Sequence, residues 1–206
     1  LPDHFASPSL KTAIVEGDPR AVYELSAKYI EGRGTEIDIN KGLGWLQLAA
    51  KMQFPPAVYR LANMYEKGIG VQTNLTKARD LYENAAMNGN INAMHNLGVL
   101  YASAPGIENF KRASHWFEQA AGFGVRDSQV NIAILYARGE GVERDLAKSY
   151  KWFSLAAKEG DLDAANKRDE VKRVLSPEQL KEADKHLSDW RVAPFDTDAN
   201  RVTPLA

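Results

Sequence analysis

Chemistry in a chain of this size needs nucleophiles, bases or metal ligands at telling intervals, and few are on offer. The histidines are His4, His95, His115 and His186. No two stand four apart, the interval that sets two imidazoles on one helix face around a metal ion. There is no cysteine, so disulfides, thiolate metal sites and thiol nucleophiles are all ruled out. Serines are present, but nothing places a base and an orienting acid beside one. Three Gly-x-Gly pairs, Gly32/Gly34, Gly68/Gly70 and Gly139/Gly141, do not qualify as phosphate loops. Such loops follow a strand, and the residues around these pairs carry a helical period instead. The expectation is a chain with no catalytic residue, no metal and no cofactor. With 26 basic and 27 acidic residues the net charge is −1, which lacks the positive excess a nucleic-acid partner would call for.

The elements that would position any site are set by one unit, clearest in Asp127 to Asp161. Ser128, Ile132, Ala133 and Tyr136 share one helix face. Gly139-x-Gly141 then breaks the helix, because glycine reaches backbone angles that other residues resist. A second helix from about Asp145 carries Tyr150, Trp152, Phe153, Ala156 and Ala157 as its apolar face, and Gly160-Asp161 stops it. The rest of the chain repeats this unit. Leu25, Leu61, Leu97 and Ile132 lie 36, 36 and 35 residues apart. Tyr29, Tyr65, Tyr101 and Tyr136 keep those steps, and Trp45, Leu81, Trp116 and Trp152 recur in the second helices at steps of 36, 35 and 36. The pairs Ala49-Ala50, Ala85-Ala86, Ala120-Ala121 and Ala156-Ala157 follow the same register. One helix pair cannot bury its stripe alone, so stacked copies must share a continuous core. The fold class expected is an all-α, right-handed α-solenoid with a C-terminal capping helix pair. The recurring tryptophans are expected in its core.

The steps of 36 and 35 residues exceed the roughly 34 of a tetratricopeptide repeat. The pattern A-x3-L-G-x2-Y-x2-G-x-G-V…D-x2-K-A-x2-W-[YF]-x2-A-A-x2-G resembles the Sel-one-like repeats, a tetratricopeptide-like family. Four copies are read at 19–54, 55–90, 91–125 and 126–161. Ser103-Ala104-Pro105-Gly106 replaces the glycine turn in the third copy, so a different loop shape is expected there. Gly42 and Gln53 depart from the pattern in the first copy, which makes its second helix the weakest. Residues 1–18 are read as a lead-in and half-repeat helix with Ser9 as N-cap and Gly17 as stop. Residues 162–190 are read as a degenerate repeat and cap, since Arg168 and Asp169 put charge where Leu and Gly belong. Ser176-Pro177-Glu178-Gln179 has the form of a capping box opening a last helix with Leu180, Ala183, Leu187 and Trp190 packed inward. Residues 191–206 lack periodicity and are expected to be a disordered tail.

Binding is the better expectation than catalysis, because solenoids hold partners on the surface lined by first helices. The exposed ridge is placed two residues before and after the shared Leu/Ile, at Tyr23 and Ala27, Tyr59 and Asn63, His95 and Val99, Val130 and Ile134. Beside these stand Arg60, Asn96 and Asn131. The groove residues taken as partner-binding are Tyr23, Tyr59, Arg60, Asn63, His95, Asn96, Asn131 and Ile134, which would hold an extended peptide by backbone hydrogen bonds and ring contacts.

A finer resemblance covers residues 1–190. Ala93 to Tyr101, Gly124 to Gln129, Ser149 to Phe153 and Lys167 to Val171, with Leu1-Pro2 and Gly17-Asp18-Pro19, are similar to the C-terminal periplasmic domain of the PodJ-like polar organelle development factors. That resemblance implies a scaffold module at a bacterial cell pole, part of a longer single-span inner-membrane protein, with protein or peptide partners in the periplasm and with peptidoglycan as an alternative ligand. The chain starts at Leu1, not Met, and is read as a piece of a longer protein that does not itself span a membrane. A glycan-binding solenoid, with Tyr23, Tyr59 and Trp190 stacking on sugars, and a hydrolase assembled across repeats are the competing readings.

Overall fold

The computed structural model describes residues 7–201. The earlier lead-in residues and the last five of the tail lie outside the described residues. Those described form twelve helices and no strand: α1 (Pro8–Val15), α2 (Pro19–Glu31), α3 (Ile39–Lys51), α4 (Pro55–Lys67), α5 (Leu75–Met87), α6 (Ile91–Ser103), α7 (Phe110–Gly122), α8 (Arg126–Arg138), α9 (Leu146–Lys158), α10 (Leu162–Lys172), α11 (Pro177–Asp189) and α12 (Thr197–Asn200). The helices fall into two compact units. One runs up to Ala93 and takes in the residues from Asp196; the other is Met94–Phe195.

Helices α2 to α9 are each 13 residues long, and α3 is as complete as its counterparts. Gly42 is buried there because a Cβ would strike the Ile30 side chain and crowd the Ser26 carbonyl. Gln53 takes over the turn with a φ of 60°, a left-handed angle usually left to glycine. The departures in the first copy are therefore accommodated locally, and the second helix they cast doubt on is intact.

The first-helix Leu/Ile stripe is buried at all four positions. In the second helices the most deeply buried large side chains are Leu46, Tyr82, Phe117 and Phe153, each one residue after the expected tryptophan register. Trp152 is buried, whereas Trp45 and Trp116 are half-buried. A helix advances about 100° per residue, so the neighbouring position points to the centre of the stripe while the broad indole covers its edge.

The inner turn is the most regular device in the chain. Asp38, Asn74, Asn109 and Asp145 cap the second helices, each side-chain oxygen accepting the backbone N–H three residues on at 2.9 to 3.0 Å. Their own N–H groups donate to the carbonyls of Tyr29, Tyr65, Tyr101 and Tyr136 at 2.8 to 3.0 Å. The residue whose N–H is capped is always a cation, and Lys41, Lys77, Arg112 and Lys148 lie 5.8, 4.2, 5.5 and 5.0 Å from those tyrosine centroids. The third copy keeps all of these contacts across a turn one residue shorter. At Gly141 (φ 72°) an added Cβ would collide with the Phe110 carbonyl, so that glycine is required by close approach as well as by its angle.

At the chain ends the caps differ in detail from the sequence reading. Ser7, not Ser9, caps α1, its hydroxyl accepting the Leu10 N–H at 3.2 Å. Gly17 follows at φ 79°. The capping box of Ser176 and Gln179 is formed, and Ala183 is the buried residue of α11, with Leu180, Leu187 and Trp190 half-buried. In the stretch expected to be a disordered tail, residues 191–201 instead take defined positions. Ala193 donates its N–H to the Gly122 carbonyl at 3.0 Å. Helix α12 docks on the turn before α6, where Asn200 accepts the Ile91 N–H at 2.7 Å and donates to the Gly89 carbonyl at 2.9 Å. Asn90, itself buried, donates to the Ala199 carbonyl at 2.6 Å. The attachment is polar and leaves no apolar period to read.

Candidate functional site

The eight groove residues do not form one continuous row of free side chains; they separate into two clefts and two committed positions. Tyr23, Tyr59, Arg60 and Asn63 line a cleft of about 390 Å³ between α2 and α4, with Ile30, Met64, Lys67 and Ile69 completing it. Tyr23 meets Phe54 edge-on at 5.7 Å and Tyr59 leans on Tyr82 at 5.9 Å, so both rings are half-buried rather than free. Arg60 ion-pairs with Glu31 at 2.8 Å and lies 5.8 Å from the Tyr23 centroid. Burial works against its charge, but hydrogen bonding and attraction from Tyr23 and then Glu31 outweigh it and hold the guanidinium above its ordinary value. Asn63 donates to the Tyr59 carbonyl at 3.2 Å, which leaves its amide oxygen for a ligand.

Asn131 and Ile134 line a second cleft of about 270 Å³ between α6 and α8, with Val99, Ala102, Phe110, Phe117 and Arg138. It is the more apolar of the two, and Val99 and Phe110 are 38% and 40% exposed at its edge. The two clefts occupy the same register of the repeat. Arg60 and Asn131, Asn63 and Ile134, Met64 and Leu135, Lys67 and Arg138, and Ile69 and Glu140 each stand 71 residues apart. Lys67 and Arg138 are the exposed cations that the sequence reading passed over. Their signal was available, since each directly precedes a Gly-x-Gly turn.

His95 and Asn96 line neither cleft. The His95 ring nitrogen Nδ1 shares a hydrogen bond with the buried Ser128 hydroxyl at 2.7 Å, and its ring tilts against Phe117 at 6.0 Å. Burial lowers its pKa, with the Asp127 carboxylate opposing. Asn96 is half-buried and already holds an interaction of its own. Of the other ridge positions, Ala27 is buried, not exposed; its place is within the packed side of α2. No group of three or more histidines or acids with metal-binding geometry occurs among the described residues. Nor is any helix among them long and apolar enough to cross a membrane.

Repeated helix pairs with ligand-sized clefts at a fixed register define a helical-repeat protein of the α-solenoid class. Residues 19–54, 55–90, 91–122 and 126–161 match the Sel1 repeat, and the chain belongs to the Sel1 repeat family. It is similar to the crystal structure of a Sel1 repeat protein from Oxalobacter formigenes, with 32% identity and a TM-score of 0.72 over 79% of this chain and 47% of that one. A protective antigen of uropathogenic Escherichia coli with the same repeat fold matches at 24% identity and a TM-score of 0.49, covering 88% of this chain and 47% of that one. An immunity protein from Pseudomonas aeruginosa matches at 22% identity and a TM-score of 0.47, covering 88% of this chain and 71% of that one. The chain thus spans about half the length of the first two. No functionally curated protein matches it. Sel1-repeat proteins are in general protein-interaction modules.

Proposed function

We propose that the chain is a non-catalytic interaction module in which the first-helix face holds an extended peptide of a partner protein, and that it serves in the periplasm as part of a cell-pole scaffold. The observation that carries the binding reading is the recurrence of one cleft at one register, once in each compact unit. Each is lined by a polar side chain at the shared Arg60/Asn131 position, an apolar wall, and an exposed cation, Lys67 or Arg138, just before the turn. An extended chain presents alternating side chains and backbone amides, and sites of this composition take both. The polar-scaffold setting is supported by the sequence resemblance of Ala93 to Tyr101, Gly124 to Gln129, Ser149 to Phe153 and Lys167 to Val171 to PodJ-like factors.

The test is capture of periplasmic proteins by the purified chain, set beside Asn63→Arg and Ile134→Glu. Both substitutions fill a cleft from a half-buried position, so helicity and thermal midpoint should change little. Partners lost from either folded variant are the expected result. Partners retained by both would move the site off this face. A fluorescent fusion of the full-length protein, spread evenly around the cell envelope, would end the polar reading.

A further inference from the structure

A larger cleft lies within Met94–Phe195 and away from the first-helix face, where α11 packs across α9. It encloses about 700 Å³, inside the roughly 300–1,000 Å³ usual for small-ligand sites. Its walls are Glu118 of α7, Lys148, Lys151 and Trp152 of α9, and Glu182 and His186 of α11.

The charges around it are unequally committed. Glu118 accepts a hydrogen bond from the Tyr136 hydroxyl at 2.8 Å. Asp145 accepts the Lys148 N–H at 2.9 Å and stands 3.9 Å from the Lys148 ammonium. Arg144 donates through Nε to the Ala137 carbonyl at 3.0 Å. Lys151 differs. It is half-buried, its ammonium lies 4.5 Å from the Trp152 ring centroid, and it makes no ion pair among the described residues. Burial lowers its pKa; Glu118 attracts the charge and Lys148 repels it. A half-buried ammonium that lies against an aromatic ring and has no carboxylate in direct contact gains from an incoming anion.

The other lining groups narrow the anion. Glu118, Asp145 and Glu182 oppose a multiply charged phosphate, whereas a single carboxylate can be held by one ammonium while its apolar stem lies along Trp152. We propose that the cleft between α9 and α11 binds a carboxylate, with Lys151 as the anion contact and Trp152 as the wall for the carbon chain. That carboxylate belongs either to a small free acid or to a glutamate side chain of a peptide.

Chemical-shift titration of the intact chain separates these sources. Butyrate is set against butyramide, and the blocked tripeptide acetyl-Gly-Glu-Gly-amide against its glutamine counterpart. Saturable shifts at the Trp152 indole and the α11 amides are expected from at least one carboxylate probe and not from its neutral partner. Butyrate alone points to the small acid and the tripeptide alone to the peptide. Lys151→Gln should weaken binding about tenfold or more, the loss expected for one charge-assisted hydrogen bond. Glu182→Gln removes a like charge from the exposed wall and should tighten binding about threefold, a direction that damage to the fold would not produce. Saturation by neither carboxylate, equal binding of the neutral probes, or unchanged affinity in Lys151→Gln overturns the proposal. Should Lys151→Gln fail to fold, Glu182→Gln decides, and unchanged or weaker binding there is equally fatal.

Discussion

His95 sits at the register position of Tyr23 and Tyr59, yet its imidazole is spent inside the fold on the Ser128 hydroxyl. The register was legible because it is a matter of counting. The commitment was not, because Ser128 is 33 residues away and becomes a neighbour only when α6 and α8 pack. Burial holds the His95 pKa below the ordinary histidine value of 6.5. The folded state therefore binds fewer protons than the unfolded chain between that lowered value and about 6.5. Its contribution is complete above the unfolded pKa and is lost as the pH falls through that window. Carboxylates elsewhere also titrate on the acid side, so the informative quantity is a difference. The thermal midpoint of the wild type relative to His95→Gln should shrink steadily from pH 7.5 to pH 5. A difference that stays level across that range would mean that His95 does not titrate with folding.

Elements were legible wherever a period or a glycine announced them. Four helix pairs follow from the recurrence of Leu25, Leu61, Leu97 and Ile132 in the first helices and of Ala49-Ala50 and its counterparts in the second, and the capping box at Ser176 can be read letter by letter. Position along an apolar face was less legible, since Trp45 and Trp116 mark its edge while Leu46 and Phe117 mark its centre. Helix α12 was illegible in principle. It holds the first unit through Asn200, which accepts the Ile91 N–H and donates to the Gly89 carbonyl, and two polar contacts leave no pattern in a sequence. Asn200→Ala should leave the Ile91 amide without a partner in a half-buried setting and cost about 1–3 kcal/mol. The local readout is hydrogen exchange. The Ile91 amide should exchange markedly faster in the variant while amides in the middle of α8 and α9 hold their rates. An Ile91 amide equally fast in the wild type would show that α12 is not docked in solution.

The whole molecule is a sum of neighbours. Packing runs from α1 to α2, on through α3, α4 and α5, and again from α7 through α8 and α9 to α10 and α11, with α12 returning to α4. In such an array stability is a series of local interface terms, so damage at one end should not travel far. Leu10 tests this cleanly. It is fully buried, the main apolar contact of α1, and packs with Ala21, Ala13 and Ile14. Truncation of a buried leucine to alanine costs about 2–5 kcal/mol in a globular core, enough to unfold a small cooperative domain outright. Here Leu10→Ala should release α1 and loosen the start of α2 only. Exchange protection should vanish for Ala13 to Val15 and fall at Val22, while Leu135 and Phe153 keep theirs. A uniform loss of protection out to α9 would show a single cooperative core, and the reading of the chain as stacked, independently supported repeats would fail with it.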